Sequence, residues 1–327
     1  MKTYDVAIVG ATGLVGKTFI KVLQERKFPI KKIVFFASSR SKGKTIIFNN
    51  QSYIVKELNK HSFDEHFDFA LFSAGSDASL TYAPIAASKH ITVIDNSSAF
   101  RQDKDIPLIV PEVNGHILNK NHYLIANPNC STIQSVVPLK VIDTLFDIKR
   151  VIYNTYQAVS GSGYKGLEDL ENGQKGMKPK TYPKPIYNNA LPHIDVMLDD
   201  GYTKEELKMI LETKKILEKD VKVTATCVRV PITFGHSVAI NVETKLPIDK
   251  HKLIEAFQKV DGLIYHNHDY PTVSDISGQD EVHIGRLRLD DSVEHGLNLW
   301  VVADNIRKGA ATNTIQIAEY MIRKGLR

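Results

Sequence analysis

Asn127-Pro128-Asn129-Cys130-Ser131-Thr132 carries the densest chemistry in the chain. It follows an apolar run, Tyr123 to Ala126, and opens a helical pattern with Ile133, Val136, Val137 and Val141. The order is strand, tight turn, cysteine, helix start. A thiol there sits among backbone N–H groups with no intrahelical partner, at the positive end of the helix dipole. Both favour the thiolate, which is the nucleophile. Taken alone, the stretch fits a buried, inert cysteine beside an N-cap equally well. Other residues could serve such a nucleophile. Arg229 shares a face of the strand pattern Val221 to Val230 with Cys227, Ala225 and Val223, and a charge there needs a partner or a ligand. His236 opens a further strand directly after a loop, a position suited to acid–base work. Gln157 ends the strand pattern from Arg150 and either orients a carbonyl or carboxylate or is a polar strand end. Glu205 and Lys208, three apart in a helix that Thr203 caps, share a face and read in isolation as a surface ion pair. Arg101, on a loop after a strand, is an anion clamp or an ordinary surface arginine.

These groups need elements to position them. Tyr4 to Val9 is a short apolar strand ending in Gly10-Ala11-Thr12-Gly13-Leu14-Val15-Gly16, and a helical pattern follows through Phe19, Val22 and Leu23. Glycines between a first strand and a helix let the backbone approach a pyrophosphate at the helix N-terminus. A second strand, Lys32 to Ala37, leads into Ser38-Ser39-Arg40-Ser41-Lys42-Gly43-Lys44. An NAD site places an acid here for the ribose, yet the sequence has none between Glu25 and Glu57. Hydroxyls and cations suit a 2′-phosphate instead, so the residues favour NADP over NAD. Alternation continues with a strand Asp68 to Ser73, a helix Ala78 to Ser88 and a strand Ile91 to Ile94, the rhythm of a doubly wound parallel sheet. Later come Ser160-Gly161-Ser162-Gly163, an exposed proline-rich connection Lys178 to Pro185, a strand Leu297 to Ala303, Asp304-Asn305, and a helix Lys308 to Lys324 with an apolar face.

Length and composition bound the class. At 327 residues the chain has room for two domains, and 43% hydrophobic with 24% charged residues is the balance of a globular protein. A net charge of +5 is spread without a Lys/Arg block, which speaks against nucleic acid and for small anions. No apolar stretch reaches a membrane span. The two cysteines make no disulfide framework, so the expected setting is cytoplasmic. His266-Asn267-His268-Asp269 with His283 matches no zinc spacing and reads as a solvated loop, so no metal is expected.

Taken together, VAIVGATGLVG, DNSSAFR, NPNCSTIQ, YQAVSGSG, EELKM with ETKKIL, TCVRVPI with GHS, and WVVADNIRKGAATN make the chain resemble the aspartate-semialdehyde dehydrogenase family along nearly its whole length. Ala126 stands where that family commonly has serine, a change outside the chemistry. The resemblance implies an α/β fold: an NADP-binding Rossmann-type parallel sheet over 1–127, and an α+β substrate and dimerisation domain over 128–305. The helix 306–327 is expected to pack back on the first. It implies Cys130 as the acyl-carrying nucleophile, His236 as general acid–base and Gln157 as catalytic positioner. Arg229 would bind the substrate α-carboxylate, Glu205 the α-ammonium, and Arg101 with Lys208 the acyl phosphate or inorganic phosphate, with Asn129 beside them. Gly10, Thr12, Gly13, Leu14, Val15, Gly16, Ser38, Ser39 and Arg40 would hold NADP, with Ser160, Gly161 and Asn305 on the nicotinamide side. The implied reaction is NADPH-dependent reduction of L-aspartyl-4-phosphate to L-aspartate 4-semialdehyde through a Cys130 thioester. It belongs to lysine (through diaminopimelate), threonine and methionine biosynthesis, carried out by a homodimer or homotetramer. The related N-acetyl-γ-glutamyl-phosphate reductases are the alternative, although an acylated amine would leave Glu205 nothing to neutralise.

Overall fold

A computed structural model describes residues 2–327. The chain runs β1 (Tyr4–Val9), α1 (Leu14–Glu25), β2 (Ile30–Ala37), β3 (Thr45–Phe48), β4 (Gln51–Ile54), β5 (Lys56–Glu57), β6 (Phe69–Phe72), α2 (Ser76–Ser88), β7 (Thr92–Asp95), α3 (Pro111–Asn114) and β8 (Leu124–Ala126). It continues with α4 (Cys130–Phe146), β9 (Ile148–Gln157), α5 (Tyr164–Gln174), α6 (Lys204–Leu217), β10 (Lys222–Arg229), β11 (His236–Thr244) and α7 (Lys250–Phe257). Then come β12 (Leu263–Tyr265), α8 (Val273–Ile276), β13 (Val282–Asp290), β14 (Gly296–Ala303) and α9 (Asn313–Arg323). Two compact units result, residues 1–128 with 310–327, and residues 129–309.

The first unit holds an all-parallel sheet in the order β5-β2-β1-β6-β7-β8. β1 and β6 are almost wholly buried, as strands covered on both faces must be. From β1 the winding goes one way through β2 and the other way through β6, so β1 and β6 flank the switch point where such sheets bind ligands. On α1, Phe19, Val22 and Leu23 bury the face that their spacing predicts. Ile315, Ile317, Ala318 and Met321 of α9 join the same core as Val6, Phe19 and Leu23. One element departs from its sequence pattern. Lys308 to Lys324 reads as a single α-helix, yet Arg307–Thr312 forms a π-helical turn and α9 begins only at Asn313. Gly309 lies in this turn with no room for a side chain, since a Cβ on it would lie 2.8 Å from the Cβ of Cys130.

The second unit is a mixed sheet in the order β10-β9-β11-β14-β13-β12. β9 alternates cleanly: Val151, Tyr153, Thr155 and Gln157 are buried, while Asn154 and Tyr156 are exposed. Helix α4 packs on β9, β11 and β14, and α6 packs on β10 and on α4, so both lie on the buried face. α4 is buried on nearly every side from Ser131 to Leu139, which is why its apolar residues form no single stripe. The architecture is α/β, a Rossmann-type sheet plus an α+β unit, as the strand–helix alternation predicts.

Candidate active site

Three adjacent strands of the second unit carry the central row. Gln157 on β9 pairs in register with Arg229 on β10 and with His236 on β11, so the three residues form one rung across the sheet. Arg229, Gln157 and His236 are all at least nine-tenths buried. The next peptide, Ala158, links two of them. Its N–H donates to His236 Nδ1 at 3.0 Å, and its carbonyl accepts from the Arg229 guanidinium at 2.6 Å. Arg229 also donates to Ser162 Oγ at 3.3 Å, and Tyr182 lies 5.9 Å beneath it.

Asn129 caps α4, its side-chain oxygen accepting from the Ser131 and Thr132 N–H groups, and Cys130 follows as the first helical residue, half-buried. Glu205 binds this cap from α6. Its Oε1 accepts from Asn129 Nδ2 at 2.8 Å and from Gln157 Nε2 at 3.0 Å, while Oε2 meets Lys208 Nζ at 3.1 Å. The isolated surface pair is thereby excluded, because Glu205 is 5% exposed.

Burial alone would raise the Glu205 carboxyl. The Lys208 charge, hydrogen bonds from Gln157 and Asn129, and the Arg229 charge outweigh it and hold it at about 2. For Lys208, burial lowers and the Glu205 and Asp195 carboxylates raise; the carboxylates prevail. His236 goes down to about 3, first through burial and then through the Arg229 charge. Its imidazole is therefore neutral near pH 7. With Nδ1 accepting from Ala158, the ring proton sits on Nε2, and that buried atom has no partner among the described residues. As folded, the ring offers a hydrogen bond from Nε2 to whatever enters the site. Arg229 Nε is likewise buried without a partner among the described residues. Two orphaned donors on one rung leave acceptors for a ligand to supply.

Ser160 and Asn305 bond to each other at 3.0 Å, and Asn305 Oδ1 accepts from the Gly235 N–H at 2.8 Å, directly before His236. Gly161 makes its close approach to protein: a Cβ there would lie 2.8 Å from the Arg229 guanidinium.

In the first unit, the glycine loop has the form of a phosphate cradle. Gly10 holds φ +85°, and a Cβ on it would lie 2.5 Å from the Ser73 carbonyl oxygen. Gly13 is the N-cap of α1 and brings no side-chain cap, so the first N–H groups at Leu14, Val15 and Gly16 point out of a helix start that a pyrophosphate can cap. Thr12 Oγ1 bonds to Ser41 Oγ at 3.1 Å, tying this loop to the exposed Ser38, Ser39 and Arg40 after β2. The residues therefore fit a dinucleotide. One acid escaped sequence reasoning. Glu57 pairs in register with Ala37 at the end of β2, and Lys42 Nζ lies 3.3 Å from it. Arg101 is buried, donating to the Asn127 carbonyl at 2.9 Å and the Asn96 carbonyl at 2.8 Å, so the ordinary-surface alternative falls.

Gln134, Asp195 and Glu212 were also missed. Gln134, four residues after Cys130, donates to the His236 carbonyl at 3.1 Å, and Glu212, seven after Glu205, accepts the Asn129 N–H at 2.6 Å. Both spacings place residues on one helix face and were readable. The His266–Asp269 segment is a loop whose residues 267–269 are exposed, while the half-buried His266 places its Nε2 3.0 Å from Nδ1 of the buried His283. Among the described residues no group of three or more His, Cys, Asp or Glu could hold a metal, and no helix is long and apolar enough to cross a membrane.

Residues 5–121 match the family described as semialdehyde dehydrogenase, NAD binding domain, and residues 139–308 match semialdehyde dehydrogenase, dimerisation domain. Aspartate-semialdehyde dehydrogenase of Aquifex aeolicus is 51% identical over 337 residues, covering 99% of both chains. Aspartate-semialdehyde dehydrogenase 2 of Vibrio cholerae is 47% identical over 332 residues, covering 98% of each. The crystal structure of aspartate semialdehyde dehydrogenase II complexed with ASA from Vibrio cholerae superposes with a TM-score of 0.94 at 46% identity, covering 99% of both chains. With a glycine loop opening α1 in one unit, a helix that opens at Cys130 and a Gln–Arg–His rung in the other, and relatives this similar over its whole length, the chain belongs to the aspartate-semialdehyde dehydrogenase family.

Proposed function

We propose that the protein reduces L-aspartyl-4-phosphate to L-aspartate 4-semialdehyde with NADPH, through a thioester on Cys130. The Nε2 proton of His236, buried and without a partner among the described residues, carries this reading, because a carbonyl oxygen in the site would supply the missing acceptor. The Cys130 thiolate, favoured by the α4 N-terminus, attacks the acyl carbon, and phosphate leaves with the C–O bond electrons. His236 donates from Nε2 to the developing oxyanion without giving up its proton, as a neutral imidazole can. When bound, the reduced nicotinamide supplies hydride to the thioester carbon. The resulting alkoxide collapses, the C–S bond breaks, and Cys130 returns as thiolate with the aldehyde released. Water supplies the one proton that the departing phosphate takes up, and Cys130 ends the cycle as the thiolate that began it.

The charges suit the substrate. Arg229, with an unmet Nε donor, takes the α-carboxylate, and the ionised Glu205 takes the α-ammonium. Lys208 and Arg101 supply positive charge for the phosphate. Gln157 and Asn129 hold Glu205 in place. NADP would lie on the Gly10–Gly16 cradle with its 2′-phosphate toward Ser38, Ser39 and Arg40, since Lys42 already neutralises Glu57. The second unit pairs two copies into a dimer, and the activity serves lysine, threonine and methionine biosynthesis.

The test is phosphate-dependent reduction of NADP or NAD with L-aspartate 4-semialdehyde, run on wild type and Cys130→Ser. Turnover with NADP, a lower kcat/KM with NAD, and loss of at least about a thousandfold in the variant are expected. Turnover that survives in Cys130→Ser would overturn the thioester route.

A further inference from the structure

Lys208 has two carboxylate partners, and only Glu205 has a part in the reaction above. The other is Asp195, whose Oδ2 lies 2.6 Å from Lys208 Nζ, closer than Glu205 at 3.1 Å. Asp195 comes from an irregular loop that two anchors hold in place. At one end Leu191 and Arg229 exchange backbone hydrogen bonds of 2.9 and 2.8 Å. At the other, Lys204 N–H donates to the Val196 carbonyl at 2.9 Å, and Met197 bridges to Thr203, the N-cap of α6. The loop is thus tied to the strand that presents Arg229 and to the helix that presents Glu205 and Lys208. Asp195 itself sits at φ +69°, with its Oδ1 accepting from the Val196 N–H at 2.9 Å, which aims Oδ2 at the ammonium. It also lines a cavity of about 430 Å³ with Arg229, Ser162, Tyr182 and His193.

We propose that Asp195 is a positioning residue that competes with inorganic phosphate for the Lys208 ammonium and so sets how tightly the enzyme holds that anion. The inference rests on Lys208 being a phosphate-binding cation, as proposed above. An ammonium has three donors, and here two already point at carboxylates. The Glu205–Lys208–Asp195 triad carries a net charge of −1 by formal count, two carboxylates against one ammonium, which opposes a further anion. Phosphate must enter in one direction of the reaction and leave in the other. A carboxylate that reclaims Lys208 favours its departure.

Two variants test this. Asp195→Asn keeps an oxygen for the Val196 N–H and tolerates the positive φ, and Asp195→Gly fits that φ with no side chain. Each removes the charge. In the phosphate-dependent oxidation of the semialdehyde, both should lower the KM for phosphate by about two- to fivefold, the size of one partly exposed ion pair. The KM for the semialdehyde should stay within about twofold. In the reductive direction, phosphate should become a correspondingly stronger product inhibitor. A phosphate KM that is unchanged or higher in both variants overturns the proposal, as does an equal change in the semialdehyde KM, which would mark a merely structural role. Lys208→Met, assayed alongside, isolates the premise. If its phosphate KM equals that of wild type, Lys208 does not hold phosphate, and both readings fall together.

Discussion

Cys130 and Cys227 belong to the same unit, yet their surroundings differ in kind. Cys130 is half-buried at the start of α4, whereas Cys227 is fully buried on β10. Burial, and then the Glu205 charge, push the Cys227 thiol far up, so it stays protonated and inert. Iodoacetamide at pH 7.5 should label Cys130 alone in native protein, and peptide mass spectrometry after Cys130→Ser should show no labelling at Cys227. Modification of Cys227 at a comparable rate would contradict this picture of the two sites. His236 allows a sharper test. If it acts as a neutral donor, His236→Gln, whose amide N–H can stand in for Nε2, should retain at least about tenfold more kcat than His236→Ala. Equal losses would point to proton transfer instead. The same residue links to stability. Its pKa falls from 6.5 unfolded to about 3 folded, so between those values the unfolded state binds the extra proton and stability falls as pH falls. Urea unfolding of wild type should lose about 1 to 2 kcal/mol more than His236→Gln between pH 7 and pH 5. A variant with the same pH slope would mean that the imidazole is not held neutral.

At the scale of the element, α4 is the part that everything else holds in place. Its cap is gripped from α6 by Glu205 and Glu212, and one turn in, Gln134 donates to the carbonyls of His236 at 3.1 Å and Val301 at 3.3 Å. The nucleophile's helix is thereby bonded to the first residue of β11. Gln134→Met keeps the volume and removes both bonds. It should lower kcat by about tenfold with little change in KM, because misplacing a reacting group by a fraction of an ångström is felt in the rate first. An unaltered kcat in a folded variant would show that the sheet alone aligns the two residues. Much of this was legible. Asn129 before Cys130, Thr203 three before Glu206, and the glycines after β1 are local signals, and each marks a helix start. The Arg229–Gln157–His236 rung could not be read, because register is set by three strands that meet only in the fold. Glu57 was passed over for the same reason, reaching the end of β2 through a short parallel strand. The Asp195 loop carries no periodic pattern, and its shape comes from bonds to Arg229 and Lys204. The π-turn at Arg307–Thr312 interrupts what reads as one continuous helical pattern, and the glycine within it lies hard against Cys130, a contact between segments far apart in the chain.

The whole molecule has to account for the sheet face that α4 and α6 leave bare. On it a groove of about 550 Å³ is lined by Tyr156, Ile232, Ala239, Tyr270, Leu299 and Trp300. Tyr156 is 39% exposed and Tyr270 55%, and the rings of Tyr156 and Trp300 sit 5.7 Å apart. Trp300 Nε1 is satisfied by the Pro271 carbonyl at 3.0 Å, so the indole presents apolar surface with its polar atom already bonded. Aromatic rings on an otherwise uncovered sheet mark a contact surface, and the region falls within the match to a dimerisation domain. A second copy is the natural occupant, because a two-fold axis lets the same patch face itself. Tyr156→Asp should then leave each chain folded but place an unpaired carboxylate at the centre of the contact. Sedimentation should show monomer where wild type is dimer, with the dissociation constant raised by at least about a hundredfold and far-UV circular dichroism unchanged. A variant that remains dimeric at the same concentration would move the interface to another face of this unit.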